Sequence, residues 1–426
     1  MLFYHVLWTL IGGPLFVGCR FYGHPRLRER MAFERPDVSS NSSRLWVHAL
    51  SVGEVRSALP LVERIVHEYP GREVIFSSTT TQGLELARKE LKDKVRSVVC
   101  MPLDFWWSSH RMARWIKPDL FVLVETDLWP GILRYLNRRG TPIVLVNGRI
   151  SDATFKSYSL APWLARRLFA DITYCLMQSA QDKERLVRIG VPSDKVVSVG
   201  NIKFDHPNRS ISQRERAHWM EMFGLSSRST VWVAGSTHGE ESKMIVDVFR
   251  GLLRVYPDLV LVLAPRRIEE ATLLVRLVEQ KGLKCLLRTE ADGSMKDPQV
   301  IVLNTIGELS EIYGIGHVSF VGGSLVPFGG HNLLEPASFG LPVVFGPHTE
   351  NFAWMAQALE KAQGGHRVKD PEELFSLMLK LIGDKELRAR MGEAAQDFVV
   401  QNRGALDRVM GYMELCLKGR GQMHHV

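Results

Sequence analysis

One pattern constrains this chain more than any other: short apolar runs alternate with stretches of helical period almost from end to end, and the alternation stops only once. Apolar, β-branched runs at 44–50, 73–77, 96–101, 119–124, 142–147, 173–178 and 196–199 predict strands. Between them, apolar residues at helical spacing predict helices at 55–69, 81–91, 105–116, 130–138, 157–169 and 180–189. The polar stretch 206–215, with Pro207, Asn208, Ser210 and Ser212, reads as a linker. The pattern then restarts, with strands at 230–234, 259–264, 284–287, 299–303, 317–321 and 343–345. Helices are predicted at 241–256, 268–281, 355–362, 371–382, 385–402 and 405–418. Repeated β-α-β with strands apolar throughout implies parallel sheets covered by helices on both faces. The expected architecture is α/β: two doubly wound Rossmann-like domains, 26–207 and 208–426, facing a cleft and preceded by a short segment, 1–25. Ligands of such sheets sit outside the carboxyl ends of the strands, but the fold alone does not choose a chemistry.

Residues 1–19 contain no Lys, Arg, Asp or Glu, and Arg20, Arg26, Arg28 and Arg30 follow. A cleaved signal peptide would carry its cations before the apolar run. The segment is therefore expected to be a single membrane anchor, with Tyr4, Trp8 and Phe21 at the interface and the arginines on the cytoplasmic side. The alternative is a buried N-terminal helix. Of the 426 residues, 45% are hydrophobic and 23% charged, which excludes extended disorder, and the mean hydropathy of −0.05 excludes a polytopic membrane protein. The five cysteines are scattered, with no C-x-x-C, so neither a disulfide framework nor a cysteine zinc site is expected. The net charge of +8 calls for an anionic partner.

The residues that can carry chemistry fall just after predicted strands. Ser51-Val52-Gly53-Glu54 follows the first strand and opens a helix; Glu54 is either a working acid or merely a first-turn acid that suits the helix dipole. Glu125, in Glu125-Thr126-Asp127-Leu128-Trp129-Pro130, ends another strand of the same sheet, so the topology places both carboxylates on one rim. Such a pair suits general-base work. The other reading is that Glu125 pairs with Arg149. Lys203 lies just before the linker, as a cation for an anionic substrate group or as plain surface. In the second half, Pro265 and Arg266 end a strand, Gly307-Glu308-Leu309 opens a short helix, and Gly322-Gly323-Ser324 leads to Asn332-Leu333-Leu334-Glu335. Paired glycines and a following helix suggest a phosphate cradle, and Glu335 is a candidate for ribose hydroxyls. No P-loop, no dinucleotide fingerprint and no metal-ligand motif is present.

SVGE, FSSTTTQG, ETDLWP, NGRIS, GNIKFD, APRR, GEL and FVGGSLVPFGGHNLLEP occur in an order that resembles the Kdo (3-deoxy-D-manno-octulosonic acid) transferases of Gram-negative bacteria. The resemblance spans nearly the whole chain. Asp127, Gly148 and Leu333 stand where the family often has Glu, Ala and Pro. It implies a GT-B fold and transfer of Kdo from CMP-Kdo, the donor substrate, to a lipid A precursor (lipid IV-A) at the cytoplasmic face of the inner membrane. By the same resemblance Glu54 matches the base, and Glu125 and Lys203 match stabilisers of the transition state. Pro265, Arg266, Gly307, Glu308, Leu309 and Asn332, Leu333, Leu334, Glu335 match CMP-binding segments. The expected reaction is inverting, uses no metal and no cofactor, and involves no nucleic acid. The alternatives are another two-domain nucleotide-sugar enzyme, a UDP-sugar transferase or 2-epimerase, and a non-catalytic glycolipid-binding protein.

Overall fold

A computed structural model describes residues 25–39, 42–205 and 211–423, which form two compact units. In the first, seven strands make one parallel sheet in the order β3-β2-β1-β4-β5-β6-β7. The strands are β1 Arg44–Ala49, β2 Glu73–Ser78, β3 Ser97–Cys100, β4 Leu120–Val124, β5 Ile143–Gly148, β6 Tyr174–Met177 and β7 Val196–Ser198. Successive side chains leave opposite faces, so each strand feeds two cores. Leu45, Val47, Phe76, Val122 and Val144 meet the helix Val52–Glu68 on one side. Trp46, Ile75, Phe121, Leu123 and Leu145 meet the helices Trp106–Ile116 and Pro130–Arg138 on the other. Burial on both faces explains why the strand sequences read as continuous apolar runs.

The second unit repeats the design with β8 Thr230–Thr237, β9 Leu259–Pro265, β10 Cys285–Leu287, β11 Val300–Val302, β12 Val318–Val321, β13 Val343–Phe345 and β14 Gly365–Arg367. All are parallel, in the order β10-β11-β9-β8-β12-β13-β14. β14 was not expected, because Gly365-His366-Arg367 carries no apolar residue; it pairs along β13 from Val343↔Gly365 to Phe345↔Arg367. In both sheets the strand order reverses direction beside the first strand, between β1 and β4 and between β8 and β12. A crevice opens at the carboxyl ends of such a pair.

Three expectations are corrected. The helix predicted at 157–169 is two, Asp152–Leu160 and Pro162–Phe169, because Pro162 lacks an N–H and starts a helix of its own after a non-helical Ala161. The polar stretch 206–215 ends inside the helix Gln213–Met222, whose Ser212 and Glu215 cap each other's backbone at 2.8 and 3.2 Å. The last segment was placed in the second domain, yet residues 402–423 belong to the first unit. Its helix, Ala405–Met423, carries Ala405, Leu406, Val409, Met410, Met413 and Cys416 in one stripe that joins the core over β1 and β4. Asp205 holds its start, accepting from the N–H of Gly404 at 2.6 Å and that of Leu406.

The expected anchor, 1–25, lies outside the described residues except for Pro25, as do Cys19, Arg20 and the linker centre 206–210. Among the described residues no helix is long and apolar enough to cross a membrane. Two of the flanking arginines are engaged with the sheet. Arg26 donates to the Thr79 carbonyl at 2.6 Å and to the Thr81 hydroxyl, and Arg30 donates to the Met101 carbonyl at 3.2 Å. Cys100, Cys175 and Cys416 are buried thiols and Cys285 is half-buried. Burial pushes the thiols of Cys175 and Cys285 up to about 12, which leaves them protonated and inert.

Candidate functional site

At the β1/β4 reversal the two predicted carboxylates share one rim, close enough for the charge of Glu125 to act on Glu54. Glu54 lies in the first turn of the helix Val52–Glu68 and folds back to accept the Leu50 N–H at 2.5 Å. Burial raises its pKa from 4.5 to about 7, with the charge of Glu125 next in effect and Asp127 adding to it. A carboxyl poised near neutrality can take a proton from a hydroxyl and still be ionised at working pH. Glu125 is the residue after β4, at φ +61°, a conformation rare outside glycine. Its backbone N–H donates to Val146 at 2.8 Å, and its carboxylate meets the Lys203 ammonium at 2.9 Å. Lys203 therefore pairs with Glu125, and Arg149 does not.

Behind this pair is a layer that sequence reasoning passed over. His48, on β1, is fully buried, with Nδ1 2.9 Å from the Ser77 hydroxyl and Nε2 3.2 Å from Asp127. Asp127 also accepts the Trp129 indole N–H at 2.7 Å. The available signal was a histidine that follows three apolar residues in β1. On the other flank Asn147, at φ +59°, accepts the N–H of Ile202, and Asn201 accepts that of Lys203. The loop that carries Lys203 is thus held from two sides.

The second unit departs further from expectation. The cradle of Gly322-Gly323-Ser324 is already filled. The fully buried carboxylate of Glu241 accepts the N–H groups of Gly323 at 2.7 Å, Ser324 at 3.0 Å and Leu325 at 2.8 Å. It also accepts that of His238 at 3.2 Å. The glycines are needed for packing: a Cβ on Gly322 would sit 2.6 Å from the Ser236 carbonyl oxygen, and one on Gly323 3.0 Å from His331. The helix after them, Leu334–Ser338, has five residues, too few for a substantial dipole, and Asn332 already caps its Leu334 N–H at 3.1 Å. Asn332 also donates to Glu335 at 3.2 Å.

What does face the carboxyl ends of β8 and β12 is a set of rings and cations. His238 and His331 meet through their Nε2 atoms at 3.0 Å, and Phe328 stacks on His238 with centroids 4.0 Å apart. Pro265 is the last residue of β9; Arg266 follows it, exposed, its backbone N–H held by the Thr237 carbonyl at 2.8 Å. Glu308 is committed to Arg288 through two 2.8 Å bonds, while Gly307, at φ +96°, and Leu309 set the turn beside it. Among the described residues no three His, Cys, Asp or Glu side chains converge as a metal site.

Two doubly wound parallel sheets, each with its strand order reversing beside the first strand, define the class by fold as GT-B-like. The UDP-GlcNAc 2-epimerase of Neisseria meningitidis, solved with UDP-GlcNAc, shares this fold with a TM-score of 0.60 at 15% identity, covering 87% of this chain and 99% of its own. The family follows from sequence. Residues 25–206 match the family model described as 3-Deoxy-D-manno-octulosonic-acid transferase (kdotransferase). The 3-deoxy-D-manno-octulosonic acid transferase of Haemophilus influenzae is 32% identical over 98% of this chain and 99% of its own. That of Aquifex aeolicus is 29% identical over 83% and 90%. The chain belongs to the Kdo transferase family and is a glycosyltransferase.

Proposed function

We propose that the chain transfers Kdo from CMP-Kdo to a lipid A precursor in lipopolysaccharide synthesis, releasing CMP with inversion at the anomeric carbon. The observation that carries this reading is Glu54, held beside Glu125 at the sheet reversal with its pKa near 7. Glu54 removes the acceptor hydroxyl proton. Lys203 neutralises Glu125 and, with it, steadies the charge that develops as the donor bond breaks. Pro265 and Arg266, Gly307 to Leu309 and Asn332 to Glu335 hold the cytidine nucleotide. No metal takes part: the leaving group is a monophosphate, and activity is expected to survive EDTA without Mg²⁺ restoring anything. Residues 1–25 anchor the enzyme at the cytoplasmic face of the inner membrane, a reading that requires the chain to resist carbonate and yield to detergent.

The deciding experiment measures CMP release from CMP-Kdo with lipid IV-A as acceptor, with UDP-sugars as the control donors. Turnover with CMP-Kdo alone among them is expected. Turnover of UDP-N-acetylglucosamine without acceptor would instead make the chain an epimerase.

A further inference from the structure

At the β8/β12 reversal the N–H groups of Gly323, Ser324 and Leu325 are taken by Glu241, and that of Leu334 by Asn332. Side chains therefore carry part of the work of holding an anion there. Two of these are joined in an unusual way. His238 and His331 lie in nearly parallel planes, 6° apart, with Nε2 to Nε2 at 3.0 Å. One N–H bridges the two rings, and the bridge has room for no second proton.

We propose that the His238–His331 pair is a proton-coupled contact for the phosphate of the cytidine nucleotide, working beside Arg266. This inference rests on the reading of the second unit as the CMP site. In the neutral pair the bridging proton is on one Nε2 and the partner ring carries its own proton on Nδ1. Adding one proton from solvent to the remaining Nδ1 gives a monocation with the bridge intact. The donor's phosphodiester carries one negative charge, and released CMP carries two near neutral pH. Breaking the bond from the anomeric carbon to the phosphate oxygen leaves the electron pair on that oxygen, and the proton taken up by the imidazoles balances the added charge.

The surroundings keep the pair neutral until then. Burial and the charges of Arg266 and Arg267 hold His238 below its usual range, with Glu270 acting the other way. Burial, Arg266 and His238 itself push His331 down to about 4. Glu241, on the helix that follows His238, is turned away into the glycine loop. Phe328 covers the outer face of His238 while remaining 55% exposed itself. An incoming dianion reverses the sign of the local field and restores basicity to the rings.

The test is calorimetric titration of the full chain with CMP, in buffers of different ionisation enthalpy, between pH 6.5 and 8.5. Wild type is expected to take up a proton on binding CMP and none on binding cytidine. H238Q and H331Q are expected to lose that uptake, and to weaken CMP about tenfold at pH 6.5 but little at pH 8.5. Melting curves identify any variant that does not fold; the wild-type proton count and the other variant then carry the test. CMP binding with no proton uptake, or with uptake unchanged in both variants, would overturn the inference while leaving the donor site standing. No CMP binding at any pH would remove the donor-site reading and this inference with it.

Discussion

Three residues outside glycine adopt positive φ at the carboxyl ends of strands: Glu125 after β4, Asn147 in β5 and Ser236 in β8. Each costs on the order of 1–3 kcal/mol, and such strain persists only where the surroundings over-determine it. Lys203, the Asn147 bond to Ile202 and the β9 edge supply that determination. Glu54 adds strain of an electrostatic kind. Its folded pKa of about 7 exceeds 4.5, so the fold favours the protonated form, and stability falls as pH rises from 4.5 to 7 and levels off above. Glu54→Gln is therefore expected to raise the stability at pH 8 by about 1 kcal/mol after solvent screening, and not at pH 4, as melting curves will show. The same variant is expected to lose about 10²–10⁴-fold in turnover. In wild type, kcat/KM is expected to rise through pH 7 as Glu54 ionises, and Glu125→Gln moves that limb to lower pH by removing a like charge. Near-wild-type turnover by a folded E54Q would remove the base assignment. Gly322→Ala tests the filled cradle. Its Cβ would press on Ser236, Thr237 and Glu241 at 2.6 to 2.8 Å, so a loss of about 2–3 kcal/mol is expected in denaturant unfolding.

At the scale of elements, most strands and helices were legible because both faces of each sheet are covered, which leaves long apolar runs and clear helical stripes. The exceptions each have a cause. β14 is held by its backbone ladder to β13 and needs no apolar side chain, so Gly365-His366-Arg367 gave no signal. The break at Pro162 and the box of Ser212 and Glu215 were written in the chain and were passed over for a longer periodicity and a polar composition. The site was legible in part. A carboxylate after a strand has one rim to occupy, so Glu54 and Glu125 were placed together correctly. Which backbone N–H groups remain open depends on where Glu241 points, and no spacing reports that. The Asp205 cap was likewise hidden, since its partners are 199 and 201 residues away. Asp205→Ala is expected to fray the start of the helix Ala405–Met423 at a cost of about 1–2 kcal/mol, read as faster amide exchange confined to its first turns.

For the whole chain, the alternation correctly announced two doubly wound units, but sequence order misled about where the last helix belongs. Its apolar stripe was visible; the sheet face it covers was not, because a stripe does not name its partner. Ending the chain at Gln401 is expected to uncover Val124, Val144 and Val146 in the first unit. Limited proteolysis should then cut the first unit while sparing the second; equal resistance of both would show the helix to be dispensable. The arrangement also orders events during synthesis. Translation at about 5–20 residues per second puts roughly 10–40 s between the end of the first sheet and the arrival of its covering helix. Over that interval the part of this face that the helix Val52–Glu68 leaves uncovered waits for the helix Ala405–Met423 while the other unit is made. The core of the first unit is therefore expected to close only once the helix Ala405–Met423 has docked, after the second unit has been made.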